Sequence, residues 1–209
     1  MDLEPPNIYP TARSEHFETE RLLVRRIATY DRDHLIPTLE DPDWARGFGY
    51  TNLPDFEAAI DGWVRSWDYP AMQTAWTFTI IEKASEHIVG YARVQLRPRN
   101  GNGWQAMPEI AIAPGFRCGG YAYEVMCGLI AWIFDDLECP PNVKLDEVHS
   151  ECLQSNDASL GLLRKLSAIG MRDLGEHEGT INVGNHETQP ARVHVFSLTR
   201  EDYRPDPAT

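Results

Sequence analysis

"PGFRCGGYAYEV", Pro114 to Val125, decides how the chain is read. Gly119 and Gly120 stand at the start of a helical pattern, where glycine costs backbone entropy and weakens the helix. Upstream, "MPEIAIAP" reads as a strand ending at Pro114. Downstream, Ala122, Val125, Met126, Leu129, Ile133, Phe134 and Leu137 recur every three or four residues. That is the apolar stripe of a helix lying on a sheet. A helix N-terminus presents unpaired N–H groups and the positive end of a dipole. Set directly after a strand it is an anion site, and glycine removes the Cβ that would keep a phosphate away. Two readings stay open here: a pyrophosphate cradle with Arg117 as added charge, or a tight turn that needs glycine. The stretch is neither G-x-G-x-x-G nor a P-loop, whose lysine and hydroxyl are missing.

Working outward, "RLLVRRI" (Arg21 to Ile27) reads as a first strand. "TYDRDHLIPTLEDP" reads as a helix capped by Thr29 or Asp31, with Pro37 inside it. Phe56, Ile60, Trp63, Val64 and Trp67 recur at helical spacing in a second helix. "AWTFTIIEKASEHIVGYARVQLRPR" reads as two strands around a polar turn, Glu82 to His87. "RNGNGW" is a loop before the fourth strand, and "ECPPN" stops the helix that follows it. "LDEVHSECL" is a fifth strand, and "NDASLGLLRKL" is a helix capped by Asn156 or Asp157. "MRDLGE" and "ARVHVFSLT" close the pattern as strands six and seven. Consecutive strands pair antiparallel, whereas the strand–helix–strand step around residues 120–137 wants a parallel pair. The expected fold is α+β in three layers: a mixed, mostly antiparallel seven-stranded sheet with helices on both faces. Residues 18–209 read as a single domain behind an irregular lead-in, residues 1–17.

The length of 209 residues, 42% hydrophobic and 24% charged, fits one ordinary globular core. A net charge of -13 argues against nucleic acid as a partner and permits a cationic one. No stretch approaches the ~20 apolar residues of a membrane span. The N-terminus lacks the basic start and apolar middle of a signal peptide. Cys118, Cys127, Cys139 and Cys152 form no C-x-x-C pair, and the scattered histidines make no zinc-like pair with them. Free thiols, no metal and a cytoplasmic location follow as expectations.

"FRCGGYAYEV" resembles the R-x-x-G-x-A signature of the GNAT superfamily of acyl-CoA-dependent N-acyltransferases, with Arg117, Gly120 and Ala122 at its three positions. "FETERLLVRRI" resembles the opening of the ribosomal-protein N-acetyltransferase (Rim-like) branch. "NDASLGLLRKLSAIGM" resembles that branch's N-x-x-S helix followed by K-L-G-F. The resemblance runs from about Glu18 to Leu198. It implies that strands four and five splay apart and that coenzyme A lies between them. It implies acetyl-CoA as co-substrate, with the pyrophosphate on the backbone N–H groups of Cys118, Gly119, Gly120, Tyr121 and Ala122. The pantetheine arm would run along Ile110, Ala111, Ile112 and Ala113. Asn156 matches a position that contacts this arm, and Ser159 one near the thioester sulfur. The chain departs from the branch in three places and, like much of that branch, lacks the acid tyrosine of other relatives. Cys118 and Gly119 stand where a glycine and a basic residue are usual, so one positive charge is lost. Leu163 stands where many relatives carry an acid tyrosine. Ser167 to Ile169 lengthens the turn before Gly170. Met107 occupies the place of a common glutamate, and Glu109, two residues on, would share its side of the strand.

Acyl transfer to an amine needs a base, a donor for the oxyanion and help for the leaving thiolate. Glu109 is the first candidate base, and Glu151 and His149 are the second. The N–H of Ile112 or Ala113 is the candidate oxyanion donor. Ser159 is either a donor to the sulfur or an ordinary first-turn serine. Trp44, Phe48 and Tyr50 in the glycine-containing loop "DWARGFGYTN", and the loop "GTINVGNHETQP", are candidate walls for the acceptor, and the aromatics either pack on a substrate or cover the core. The expected acceptor is a primary amine of a small molecule or a peptide N-terminus, and the acidic chain points to a basic one. A non-catalytic acyl-CoA sensor, or transfer from another acyl thioester in a biosynthetic pathway, are the alternatives. A monomer or a homodimer fits equally.

Overall fold

The computed structural model describes residues 10–48, 53, 55–69, 73–99, 103–139, 144–184 and 187–206, with the backbone alone for 181–184, 187 and 188. Alternation builds its centre. In β4 (Ala75–Glu82), Trp76, Phe78 and Ile80 are fully buried on one face and Thr77 and Thr79 on the other. Both faces are covered, so even the polar face of this strand is out of water.

The main sheet has eight strands in the spatial order β2 (His16–Glu18), β3 (Leu22–Arg26), β4, β5 (Ile88–Arg99), β6 (Gly103–Ile112), β8 (Lys144–Leu153), β10 (Glu187–Thr199) and β9 (Arg172–Gly184). Every adjacent pair is antiparallel except β6 and β8, which are parallel. Those two are the strands joined through α4 (Tyr121–Asp135), whose length is what a parallel crossover requires. A separate ribbon pairs β1 (Thr11–Ala12) with β7 (Leu137–Glu138). One face carries α4, where Trp132 meets Phe78 edge-on at 4.9 Å between ring centres. The other carries α1 (Arg32–Leu39), α2 (Pro42–Phe48) and α3 (Phe56–Ser66), with Trp63 stacked on Tyr91 at 5.5 Å.

The expected mixed, mostly antiparallel sheet with helices on both faces is present, with three differences in detail. The segment read as an irregular lead-in contributes β1 and β2, strands too short to show a period. Residues 42–48, read as part of a glycine-containing loop, form α2 around the buried Trp44 and Ala45. The stretch "GTINVGNHETQP", read as a loop, is the far half of a long hairpin, because β9 and β10 stay paired out to Gly184 and Glu187. The β-branched Thr180, Ile181 and Val183 suit a strand once a partner is in register.

One buried charge locks the helical layer to the sheet. Asp31, with no exposed surface, accepts two hydrogen bonds from Arg25 (2.8 and 2.7 Å), one from the Thr79 hydroxyl (2.7 Å) and one from the Ala28 amide (2.9 Å). Burial pushes its carboxyl up, but these bonds outweigh it and hold the group below the ordinary carboxylate value. Asp31→Ala should cost about 3 kcal/mol, the low end for breaking a buried pair because the Arg25 side chain keeps 23% exposure. The folded-state pKa lies below the unfolded value of about 3.9, so this contribution is full above that pH and fades as pH falls through the folded value. Urea denaturation of both proteins at pH 7 and at pH 3 should show the gap between them shrinking in acid.

Candidate active site

β6 and β8 begin as partners and then separate. Pairing runs from Gly103↔Lys144 to Ala106↔Val148 and stops. The neighbouring ladder explains why. The Ala113 amide donates to the Val89 carbonyl at 2.8 Å, and the β5–β6 register continues without a shift from Ile112↔Gly90 back to Gly103↔Arg99. Alternate residues of a strand bond to the same neighbour. Met107, Glu109 and Ala111 therefore spend their backbone groups on β5. Ala106, Pro108, Ile110 and Ile112 turn theirs towards β8. Pro108 has no N–H to give, so the ladder ends at the first position where it would be needed.

A cavity of about 260 Å³ occupies the gap. The register sorts its walls into two sides. Ala92 pairs with Phe78 and Ile110 with Ala92, so Ile110 faces α4, as do Ser150 and Cys152 of β8 in line with Val148. On that side the cavity is closed by Met126 of α4 and by Ser159, Leu162 and Leu163 of α5 (Asp157–Lys165). Arg93, Gln95 and Arg97 of β5, Met107 and Glu109 of β6, and His149 and Glu151 of β8 line the side towards α2 and α3. Glu109 does share its side with Met107, since no bulge interrupts the β5–β6 pairing.

Glu109 accepts a hydrogen bond from the Tyr91 hydroxyl. Burial, then the Glu109 charge, push the Tyr91 phenol well above its ordinary value, so it remains a donor. Sequence reasoning passed over Tyr91, whose place in a strand interior gives no sign of this contact. His149 and Glu151 are bonded to each other at 3.0 Å, and that bond first of all holds the Glu151 carboxyl below its ordinary value. A lowered carboxyl is a weaker base, which counts against Glu151. Asn156, not Asp157, caps α5: its Oδ1 accepts from the Ser159 amide (3.1 Å), while its Nδ2 donates to the Gly47 carbonyl (3.0 Å) at the end of α2. The Ser159 hydroxyl lines the cavity and has no hydrogen bond among the described residues. The Ser150 hydroxyl and the Arg93 Nε are buried, line the same cavity and have no partner among the described residues.

At the end of the gap the two readings of the glycines divide. Gly120 caps α4 with a left-handed φ of +83°, so the turn itself demands glycine there. Gly119 has no such φ, and a Cβ added to it would meet nothing nearer than 3.5 Å. Its glycine leaves open backbone that the fold does not require. The amides of Gly119, Gly120, Tyr121 and Ala122 find no acceptor among the described residues. Cys118, exposed, takes a left-handed φ of +63°, a conformation that favours glycine.

Several expected roles move. Arg117 is not a free charge at this turn: its guanidinium is paired with Asp41, lies 3.7 Å from Asp43, and donates through Nε to the Ile112 carbonyl at 3.1 Å. Burial pushes Asp41 up, but Arg117 outweighs it and keeps the carboxyl below its ordinary value. Arg21 stands at the turn instead. It donates to the Gly119 carbonyl (2.9 Å) and to Glu124 (2.7 Å), and its guanidinium lies over the Tyr121 ring at 4.4 Å. Arg21 and Lys165 both line a second hollow beside Gly120. Ala111 and Ala113 give their backbone to β5, which removes Ala113 as an oxyanion donor and leaves Ile112. Trp44 is a core residue at 7% exposure, packed on Phe48 and Phe56, and does not line the cavity. Phe48 and His149 do line it. Tyr50 lies outside the described residues.

A family model described as "Acetyltransferase (GNAT) domain" matches residues 21–169. Among solved structures, a putative ribosomal-protein-serine acetyltransferase from Vibrio cholerae superposes with a TM-score of 0.67 at 18% identity, over 88% of this chain and 97% of that one. RimJ of Mycobacterium smegmatis, in complex with CoA-disulfide, gives 0.66 at 14% identity, over 90% and 85%. Spermidine N-acetyltransferase from Vibrio cholerae, in complex with CoA and spermine, gives 0.64 at 13% identity, over 88% and 99%. No curated protein matches the chain. No helix of the described residues is long and apolar enough to cross a membrane.

The turn makes a direct stability test. Gly120→Ala should lose about 1–2 kcal/mol, the cost of a left-handed φ for a residue with a Cβ. Gly119→Ala should stay within about 0.5 kcal/mol of the parent. Chemical denaturation of the two variants measures both.

Proposed function

The chain belongs to the GNAT acetyltransferase family, and on that premise we propose that it transfers acetyl from acetyl-CoA to a primary amine of a small molecule or peptide N-terminus. The observation that carries the reading is the parting of β6 and β8 at Pro108, with the open glycine turn at its end. An extended arm with amide groups fits there as a surrogate strand. The backbone groups of Ile110 and the orphaned Ser150 hydroxyl offer it partners. The amides of Gly119 to Ala122 suit a diphosphate, with the exposed Lys165 supplying the charge that Arg117 has spent elsewhere.

Acetyl-CoA, when bound, supplies the acetyl group as a thioester. The chain's own residues then have distinct tasks. Glu109 takes the proton from the amine, held in orientation by Tyr91. The Ile112 amide donates to the carbonyl oxygen as it gains charge. The Ser159 hydroxyl donates to the departing sulfur. A C–N bond forms, the C–S bond breaks, and the amine's proton ends on the thiol. Four free cysteines and this donor fit a cytoplasmic setting.

Free thiol released from acetyl-CoA in the presence of a panel of primary amines tests the activity. Glu109→Gln should lower kcat by about 10²–10⁴, the usual contribution of a positioned base, with CoA affinity kept. CoA binding without thiol release for any amine would favour the sensor reading. Gly119→Val should keep the thermal melt of the parent and weaken CoA binding at least about tenfold by calorimetry, because the added methyls occupy the space a phosphate needs. Unchanged affinity would move the diphosphate away from this turn.

A further inference from the structure

The geometry points to an acceptor that carries a carboxylate beside its amine, an amino acid or amino-acid-like zwitterion, with Arg93 as the residue that binds the carboxylate. The inference rests on the acetyl-transfer reading above and names the substrate class for that site.

Arg93 and Glu109 face each other across the β5–β6 ladder, on one side of the sheet, and both line the cavity. Residues so placed have Cα atoms about 5 Å apart, yet the two side chains form no ion pair. Glu109 takes the Tyr91 hydroxyl, and Arg93 lies over the Trp63 ring with 5.7 Å to its centre. Its Nε is buried and without a hydrogen-bond partner, and no carboxylate among the described residues pairs with it. A guanidinium cannot shed its proton, and its planar fork of donors matches a carboxylate. Leaving it half-buried and unpaired is costly, and a ligand carboxylate removes that cost.

A second arginine stands on the same wall. Arg97 points to the same side four residues on and also lines the cavity, without an ion-pair partner among the described residues. The acidic groups on that wall are engaged: Glu151 by His149 and Glu109 by Tyr91. The chain's overall charge of -13 favours a cation in the long-range field, but contact recognition is set by Arg93, the half-buried guanidinium of this cavity that has no ion pair among the described residues. The short separation of Arg93 from Glu109 also sets the size of the acceptor. An amine delivered to Glu109 and an anion held by Arg93 are a few bonds apart, which suits a compact amino acid and not a long polyamine.

The test compares kcat/KM for matched pairs of free amino acids and their carboxamides, with acetyl-CoA as donor. The parent protein should favour the acids by about tenfold or more, the worth of a charged hydrogen-bonded pair. Arg93→Gln should collapse the acid-to-amide ratio towards one, and Arg93→Lys should restore part of it. CoA affinity, measured by calorimetry on the same variants, separates a folded from a damaged protein. Equal use of acids and amides by the parent, a preference for polyamines, or a ratio unchanged in Arg93→Gln would overturn the inference and leave acetyl transfer standing. No thiol release with any amine would overturn both.

Discussion

A single missing hydrogen-bond donor organises this molecule. Pro108 sits on the edge of β6 that would otherwise bond to β8, and pairing ends with Ala106 and Val148. Had an ordinary residue stood there, the parallel ladder would have been free to continue and the sheet would have closed. Because it does not, the backbone of Ile110 and Ile112 faces a gap, and Ser150, Ser159 and Glu109 reach it from three elements. The α4 helix, which must cross from β6 to β8, starts at the far end of the same gap and points its N-terminus at it. The strand break and the helix start are thus parts of one site, made by the same connection.

The arginines show how charge is distributed around that gap. Arg117, though it stands in the recognisable motif, holds the α1–α2 junction to the end of β6 through Asp41 and the Ile112 carbonyl. Arg21, just before β3 and far from the glycine turn in sequence, braces the turn by gripping the Gly119 carbonyl and Glu124 together. Burial pushes the Glu124 carboxyl up, but its bonds from Thr19 and Arg21 outweigh this and hold it below the ordinary value. Arg25 is committed to Asp31. Arg93 has only an aromatic ring beneath it. Three of these guanidiniums satisfy the fold, and the one left over faces the cavity.

The sequence by itself determined the layers and the position of the glycine turn at the end of the gap. Alternation in Trp76–Ile80, the stripe from Ala122 to Phe134 and the strand–helix–strand spacing are local periodicities, and local periodicity survives reading one residue at a time. The Gly119–Gly120 junction and the Asn156 cap are legible for the same reason. Only the tertiary structure decided which side chains were already occupied. Arg117 is spent elsewhere and Arg21 stands at the turn because their partners, Asp41 and Gly119, lie 76 and 98 residues away in the chain. Trp44, open by sequence between an acceptor wall and the core, is core, because α2 folds its aromatic face onto Phe56. Net charge, a sum over the whole surface, gave no access to which arginine at one cavity lacks an ion pair, because long-range pairing leaves no period in a sequence.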